Sequence, residues 1–253
     1  MKVTFLGTGT SQGVPVIGCG CEVCRSLDYR DKRLRTSVLI EANGKSLVID
    51  TGPDFRQQML REHVQRLDAV VFTHEHKDHV AGLDDVRAFN FLHKMDMPVF
   101  DNRHVLERLK VEYYYVFDGD RYPGVPQLEL IEINDKPFQA AGITITPLPV
   151  RHLHMSVFGF RIEDFSYITD ANHIPDETYD LLRGSKVLVL NALQKEKHVS
   201  HFNLEEAIQI AQKVGATQTY LTHASHRLGR HLEIEQSLPA GIALAYDSLR
   251  ITL

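Results

Sequence analysis

The chain has 253 residues, with 28 Lys and Arg against 33 Asp and Glu and a formal net charge of −5. That balance, with no basic block, argues against a nucleic-acid partner, because phosphate backbones are gripped by clustered cations. No window approaches the ~20 apolar residues of a membrane helix, and the N-terminus lacks a charged segment followed by a long apolar one; a soluble cytoplasmic protein without membrane contact is expected. No linker or low-complexity run divides the sequence, which predicts one domain over 1–253.

In chain order, Lys2 to Leu6 reads as a first strand. The loop after it carries Cys19-Gly20-Cys21-Glu22-Val23-Cys24, a C-x-C-x-x-C knuckle suited to a structural zinc, which needs a fourth ligand. Three cysteines and no leader argue against a disulfide framework and for a reducing compartment. Ser37 to Glu41 and Ser46 to Asp50 are further strands. Leu67 to Phe72 reads as a buried strand, and it runs into Thr73-His74-Glu75-His76-Lys77-Asp78-His79, three imidazoles and the Asp78 carboxylate in one turn; a helix is predicted from about Val80 to Leu83 onward. His74 and His76, two apart, face one way where the backbone is extended, whereas Asp78 and His79 diverge from each other, so the loop can serve two ions. Imidazole with carboxylate suits Zn²⁺, Mn²⁺ or Fe²⁺.

Four ligands do not fill two metal shells, so more must come from elsewhere. Three later strands stop on candidates: Ile143 to Arg151 before His152, Phe165 to Thr169 before Asp170, and Thr217 to Thr222 before His223. His226, three residues past His223, is the candidate fourth ligand of the knuckle. Leu128 to Ile133 and Lys186 to Leu190 read as strands and Leu204 to Val214 as a helix, capped by Asn203 with Glu205 and Glu206 complementing its dipole. The aromatics Tyr113 to Phe117 and Tyr122 are expected to serve packing. His63, His93, His104, His173 and His231 are expected on the surface or in packing.

The ordered set His74, His76, Asp78, His79, His152, Asp170 and His223, with Phe5-Leu6-Gly7-Thr8-Gly9-Thr10 and Asp50-Thr51-Gly52, resembles the metallo-β-lactamase superfamily in its two-metal hydrolase branch. The knuckle and Ser11-Gln12-Gly13-Val14-Pro15 narrow the resemblance to the PhnP-like group of phosphodiesterases. The resemblance implies an α/β (α+β) fold, an αββα sandwich of two mixed β-sheets flanked by helices. It implies two active-site ions, Mn or Zn, the first on His74, His76 and His152, the second on Asp78, His79 and His223, with Asp170 bridging. It further implies one structural Zn on Cys19, Cys21, Cys24 and His226, and a homodimer. Asp50 is expected to orient the metal loop. His152 is preferred to His154 as ligand from the family's spacing to Val157-Phe158-Gly159-Phe160.

The expected activity is hydrolysis of a small phosphodiester, cyclic ones included, by a hydroxide bridging two ions, with Asp78 and Asp170 in the catalytic centre. His201 aligns with a histidine that acts on substrate in relatives and is expected to bind substrate and protonate the leaving group, with His198 its rival. His154 is expected to contact a phosphate oxygen, where relatives commonly carry lysine. The competing functions are a tRNA 3′-processing-like endonuclease, a thioester or lactone hydrolase, and a non-catalytic metal-binding protein.

Overall fold

The computed structural model describes residues 1–119 and 123–253 of the chain, so Tyr122 lies outside the described residues. Among these, fourteen strands form two seven-stranded sheets. The first has the order β14-β1-β2-β3-β4-β5-β6, with β1 Lys2–Gly7, β2 Ser37–Ala42, β3 Lys45–Ile49, β4 Ala69–Val71, β5 Met97–Asp101, β6 Leu128–Glu132 and β14 Arg250–Thr252. The second has the order β13-β12-β11-β10-β9-β8-β7, with β7 Phe138–Ala140, β8 Ile143–His152, β9 Met155–Ile162, β10 Phe165–Ile168, β11 Val187–Asn191, β12 Gln218–Thr222 and β13 Ile242–Leu244. Each sheet is mixed: β1, β2 and β3 pair antiparallel while β3 to β6 pair parallel, and β8, β9 and β10 pair antiparallel while β10 to β13 pair parallel.

The period of two along each strand separates two kinds of core. Val38, Ile40, Leu47, Ile49 and Val71 face inward and meet Ile145, Phe160, Ile162, Phe165 and Val189 of the other sheet. Their neighbours Leu39, Val48 and Val70 face outward and are covered by Phe55, Met59, Phe89 and Leu106 from helices. On the opposite face Val150, Leu188, Leu190 and Leu221 are covered by Leu182, Ala207 and Ile234. Strands buried on both faces lose the alternation that would mark them from sequence, which is why they read as continuous apolar runs. The layers are thus helix, sheet, sheet, helix, the sandwich that the resemblance implied.

Local signals fix several ends. Asn203 accepts from the Glu206 backbone N–H at 2.9 Å while the Glu206 carboxylate accepts from the Asn203 N–H at 3.0 Å, a reciprocal cap for helix Leu204–Val214. Gly215, at φ 69°, ends that helix in the left-handed region. Pro147 and Pro149 lie inside β8, beyond the three residues that pair with β7, so their missing N–H groups fall on a free edge. The helix predicted from Val80 is instead a helical turn at Lys77–Val80 and a 3₁₀ turn at Leu83–Val86, and helix Arg87–His93 follows. Tyr113, from the aromatic run, is buried and donates its hydroxyl to the Val80 carbonyl at 2.7 Å, so packing is its role. No helix among the described residues is long and apolar enough to cross a membrane.

His231 is buried, not a surface residue: its Nδ1 accepts from the Arg33 guanidinium at 3.1 Å, and Arg33 also donates to Thr8 Oγ1 and the Ala245 carbonyl. Burial and the Arg33 charge push His231 down to about 4. The unfolded imidazole takes a proton near 6.5, so stability is complete above that pH and is lost as pH falls toward 4, by of order 3 kcal/mol. His231→Gln, which keeps an acceptor for Arg33, is expected to flatten this decline; urea titrations at pH 7 and 4.5 check it, and an unchanged pH slope would contradict it.

Candidate metal centre

The candidate ligands leave both sheets at one end. His74, His76, Asp78 and His79 follow β4, His152 ends β8, Asp170 follows β10 and His223 follows β12. Three residues at these strand ends, Asp50 at φ 67°, Asp170 at 52° and His223 at 58°, occupy the left-handed region, which non-glycine residues adopt only where surrounding contacts hold them.

Donor atoms of His74, His76 and His152 lie within 4.8 Å of one another, as do those of Asp78, Asp170 and His223, and those of His74, His79 and Asp170. Asp170 therefore stands between the two trios, within 3.2 Å of His79 Nε2 and 3.1 Å of His223 Nδ1 through Oδ2. The structure brings all seven sequence candidates together. His154 is exposed at the β8–β9 turn and belongs to none of these groups.

Asp50 sets the imidazoles. Its Oδ1 accepts from the Thr73 backbone N–H at 2.9 Å, and its Oδ2 accepts from Thr73 Oγ1 at 2.9 Å and from His79 Nδ1 at 2.8 Å. With its proton given to Asp50, Thr73 Oγ1 is left to accept from His74 Nδ1 at 3.0 Å. When neutral, both rings thereby turn Nε2 inward without its proton, the tautomer a metal ligand needs. His152 does the same by donating from Nδ1 to the Ser200 carbonyl at 2.8 Å. His79 Nε2 is buried with Asp78 Oδ2 and Asp170 Oδ2 each 3.2 Å away and in hydrogen-bond geometry with neither, and His74 Nε2 faces His76 Nδ1 at 3.0 Å, nitrogen to nitrogen. An orphaned imidazole nitrogen and a facing pair, ringed by carboxylates, are costly unless a cation sits among them, so the residues present fit divalent ions.

In the metal-free protein the charges follow these contacts, and the carboxylates favour a proton on His79 where an ion would otherwise sit. Burial would raise the Asp170 and Asp78 carboxyls, but His223 and His79 hold Asp170, and His79 holds Asp78, well below the ordinary range. Burial lowers His79, yet Asp170, Asp78 and Asp50 outweigh it and keep it high, whereas burial takes His74 well down and His223 to about 4.

Glycine packs this loop. A Cβ on Gly52 would stand 2.1 Å from the Asp78 carbonyl, and one on Gly82 2.1 Å from the Gly52 carbonyl. Gly52→Ala is expected to displace Asp78, destabilise the fold by about 2 kcal/mol and lower turnover at least about tenfold. Thermal melts beside turnover assays check this; a variant equal to wild type in both would contradict the close packing.

The knuckle forms a second cluster. Cys19, Cys21 and Cys24 Sγ lie 3.3, 3.4 and 3.6 Å from His226 Nδ1. A tetrahedral centre with ordinary zinc bond lengths has S···N edges of about 3.6 Å, so this set too fits its ion. The Cys24 backbone N–H lowers the Cys21 thiol to about 6, while burial raises Cys24 to about 11. The clusters share one loop, since His223 and His226 flank Ala224, whose N–H donates to the Thr8 carbonyl at 2.9 Å.

His201 sits beside the first cluster with Nε2 3.0 Å from Asp170 Oδ1 and Nδ1 2.9 Å from Ser200 Oγ. Its rival His198 lies behind it, Nδ1 to Nδ1 at 3.3 Å. The sequence reading missed Ser200, which touches both His152 and His201, and it missed that His104 bonds Glu75 inside the metal loop. Neither contact has a spacing signature.

A model of the beta-lactamase superfamily domain matches residues 45–224. The chain belongs to the metallo-β-lactamase superfamily, in its PhnP-like group. It superposes on the crystal structure of a new diphosphatase from the PhnP family with a TM-score of 0.93 and 40% identity, covering 100% of this chain and 97% of that one. It is also 41% identical over 252 residues to an octanoyltransferase of Porphyromonas gingivalis, covering 98% of this chain and 51% of that protein. The chain thus spans about half the length of that curated relative. A ribonuclease Z of Mycobacterium sp. (strain KMS) is 25% identical over 254 residues, covering 88% of this chain and 84% of that protein.

Proposed function

We propose that the chain is a metal-dependent hydrolase of a small phosphodiester or diphosphate, with two divalent ions, Mn or Zn, on His74, His76, His152, Asp78, His79, His223 and a bridging Asp170, and a structural Zn on Cys19, Cys21, Cys24 and His226. The observation that carries it is the convergence of seven donors from both sheets at one end of the sandwich, with His201 held at their rim. The likeness to a PhnP-family diphosphatase supports phosphorus as the electrophile.

Ions bound there would neutralise phosphoryl oxygens and acidify a water enough to attack at neutral pH. The chain's own residues do the rest. Asp50 and Thr73 hold His74 and His79 in the ligand tautomer. Asp170 Oδ1 only accepts, so His201 carries a proton on Nε2, which donates to it and points into the site, while Nδ1 meets Ser200 Oγ. That proton is placed for the leaving oxygen, and Asp170 steadies the ring. Asp78 and Asp170 keep the centre's positive charge moderate, which suits a singly charged diester.

The test uses metal-stripped protein reloaded with Mn²⁺ or Zn²⁺ on bis(p-nitrophenyl) phosphate and p-nitrophenyl phosphate. Diester turnover well above monoester turnover is expected. His201→Ala is expected to reduce turnover of an alkyl phosphodiester about 10²-fold or more, with less effect on bis(p-nitrophenyl) phosphate, whose leaving group needs no proton; equal losses for both leaving groups would remove the acid role. A second reading, thioester hydrolysis, draws on the likeness to a protein named for octanoyl transfer; turnover of an octanoyl thioester without turnover of either phosphate ester would favour it.

A further inference from the structure

We propose that His198 and His201 hold a further divalent ion, zinc by their chemistry, on the outer side of the metal centre, and that this ion switches off the proton delivery assigned to His201. The site rests on its own geometry; its effect on turnover rests on the phosphoester reading above.

His201 has two faces. Its Nε2 meets Asp170 Oδ1 at 3.0 Å, and its Nδ1 meets His198 Nδ1 at 3.3 Å. The second pair has no proton to share. The Ser200 backbone N–H donates to His198 Nδ1 at 3.4 Å, so that nitrogen is an acceptor. Neutral His201 keeps its one proton on Nε2, so its Nδ1 is an acceptor as well. Two imidazole lone pairs then face each other, an arrangement that a shared proton or a cation relieves.

The spacing is that of a metal edge. Two nitrogens bound to one tetrahedral zinc at ordinary bond lengths stand about 3.3 Å apart. Ser200 Oγ completes a triangle, 3.3 Å from His198 Nδ1 and 2.9 Å from His201 Nδ1, and His198 is exposed, which leaves the fourth corner to water. Contacts outside the triangle hold its loop in place. The Ser200 carbonyl accepts from His152 Nδ1, the Val199 carbonyl accepts from Asn172 Nδ2 at 3.0 Å, and the Phe202 N–H donates to the Ala171 carbonyl at 2.9 Å. Two imidazoles and a hydroxyl select Zn²⁺ over Mn²⁺. They are fewer than the donors of the inner centre and carry no negative charge, and the Arg227 charge that bears on His198 opposes a cation, so this site fills last.

A histidine delivers a proton efficiently as imidazolium, which needs Nδ1 protonated as well as Nε2. An ion on Nδ1 takes that position and the proton leaves to solvent. His201 then stays against Asp170 as a far weaker acid. Excess zinc should therefore slow esters whose leaving oxygen needs a proton and spare those whose leaving oxygen does not.

Titration calorimetry of Zn²⁺ into enzyme already carrying zinc at its His/Asp and Cys clusters is expected to show one further ion per chain. His198→Ala is expected to lose that ion and to retain the others by elemental analysis. With ethylene phosphate, whose leaving group is an alkoxide, the further ion is expected to slow wild type about tenfold or more and His198→Ala by less than about twofold. With bis(p-nitrophenyl) phosphate neither protein should change by more than about twofold. No further ion in wild type, or the same further ion in His198→Ala, overturns the site. A further ion that slows both esters equally, or slows neither, overturns its action through the His201 proton. No turnover of either ester before zinc is added overturns the phosphoester reading, and the calorimetry still decides the site.

Discussion

Asp170→Asn is expected to lower diester turnover by about 10³-fold or more while leaving the fold intact. Asparagine matches aspartate in shape and tolerates the left-handed backbone at φ 52°, so the substitution removes charge alone. That charge holds three imidazoles at once: His201 through Oδ1, and His79 and His223 through Oδ2. Without it, His79 loses the strongest of the attractions that keep it protonatable in the metal-free protein, and the two trios lose the ligand between them. Metal analysis with turnover checks the result: fewer than two ions retained in the His/Asp cluster, and turnover near background. Activity within about tenfold of wild type with full metal content would remove Asp170 from the bridging role.

Cys24→Ser is expected to have the largest effect on stability. The knuckle's packing is slight, with Val14, Val23 and Cys24 the residues buried in its cluster among those described, so on the proposed assignment its shape would depend on the ion that its four side chains are spaced to hold. Metal binding at such small clusters is folding energy. Loss of the site is expected to cost about 3 kcal/mol, or roughly 6–12 °C in Tm at this chain length. Turnover should fall less than tenfold, because Ala224 remains tied to Thr8 and Thr10 by backbone hydrogen bonds. Elemental analysis showing one zinc fewer, with a lowered melting temperature, is the expected pair of observations; an unchanged zinc count and melt would refute the structural role.

Most of the candidate centre could be read from sequence because its residues sit at strand ends, where apolar runs stop on His or Asp. His74 through His79, His152, Asp170 and His223 each announce themselves this way. The division into two sheets could not be read so directly, since β4 and β11 are buried on both faces and carry no alternation to say which layer they join. The helix expected at Val80 was displaced because the Gly82 N–H donates to the Thr51 carbonyl, a contact across 31 residues that no local pattern encodes. The contacts of Ser200, His104 and His231 went unread for the same reason, although His104 on the surface and His231 in packing fall within the expectation. Their partners, Asp170's neighbour His201 apart, are distant in sequence, and a lone Ser or His gives no signal until the chain is folded. The prolines of β8 were legible as interruptions, but the free edge that accommodates them was not.

The two sheets contribute unequally placed ligands: four from the loop after β4 in one sheet, and His152, Asp170 and His223 from the other. On the proposed assignment each ion would therefore be a cross-link between the halves of the sequence, closing loops of roughly 70 to 140 residues. Closure entropy grows only as the logarithm of loop length, yet for loops this long it is already several RT. The metals would act on the unfolded ensemble as well as on substrate, so stripping them should loosen the seam between the sheets at the ligand end first, and amide exchange there should accelerate ahead of the far end of the sandwich.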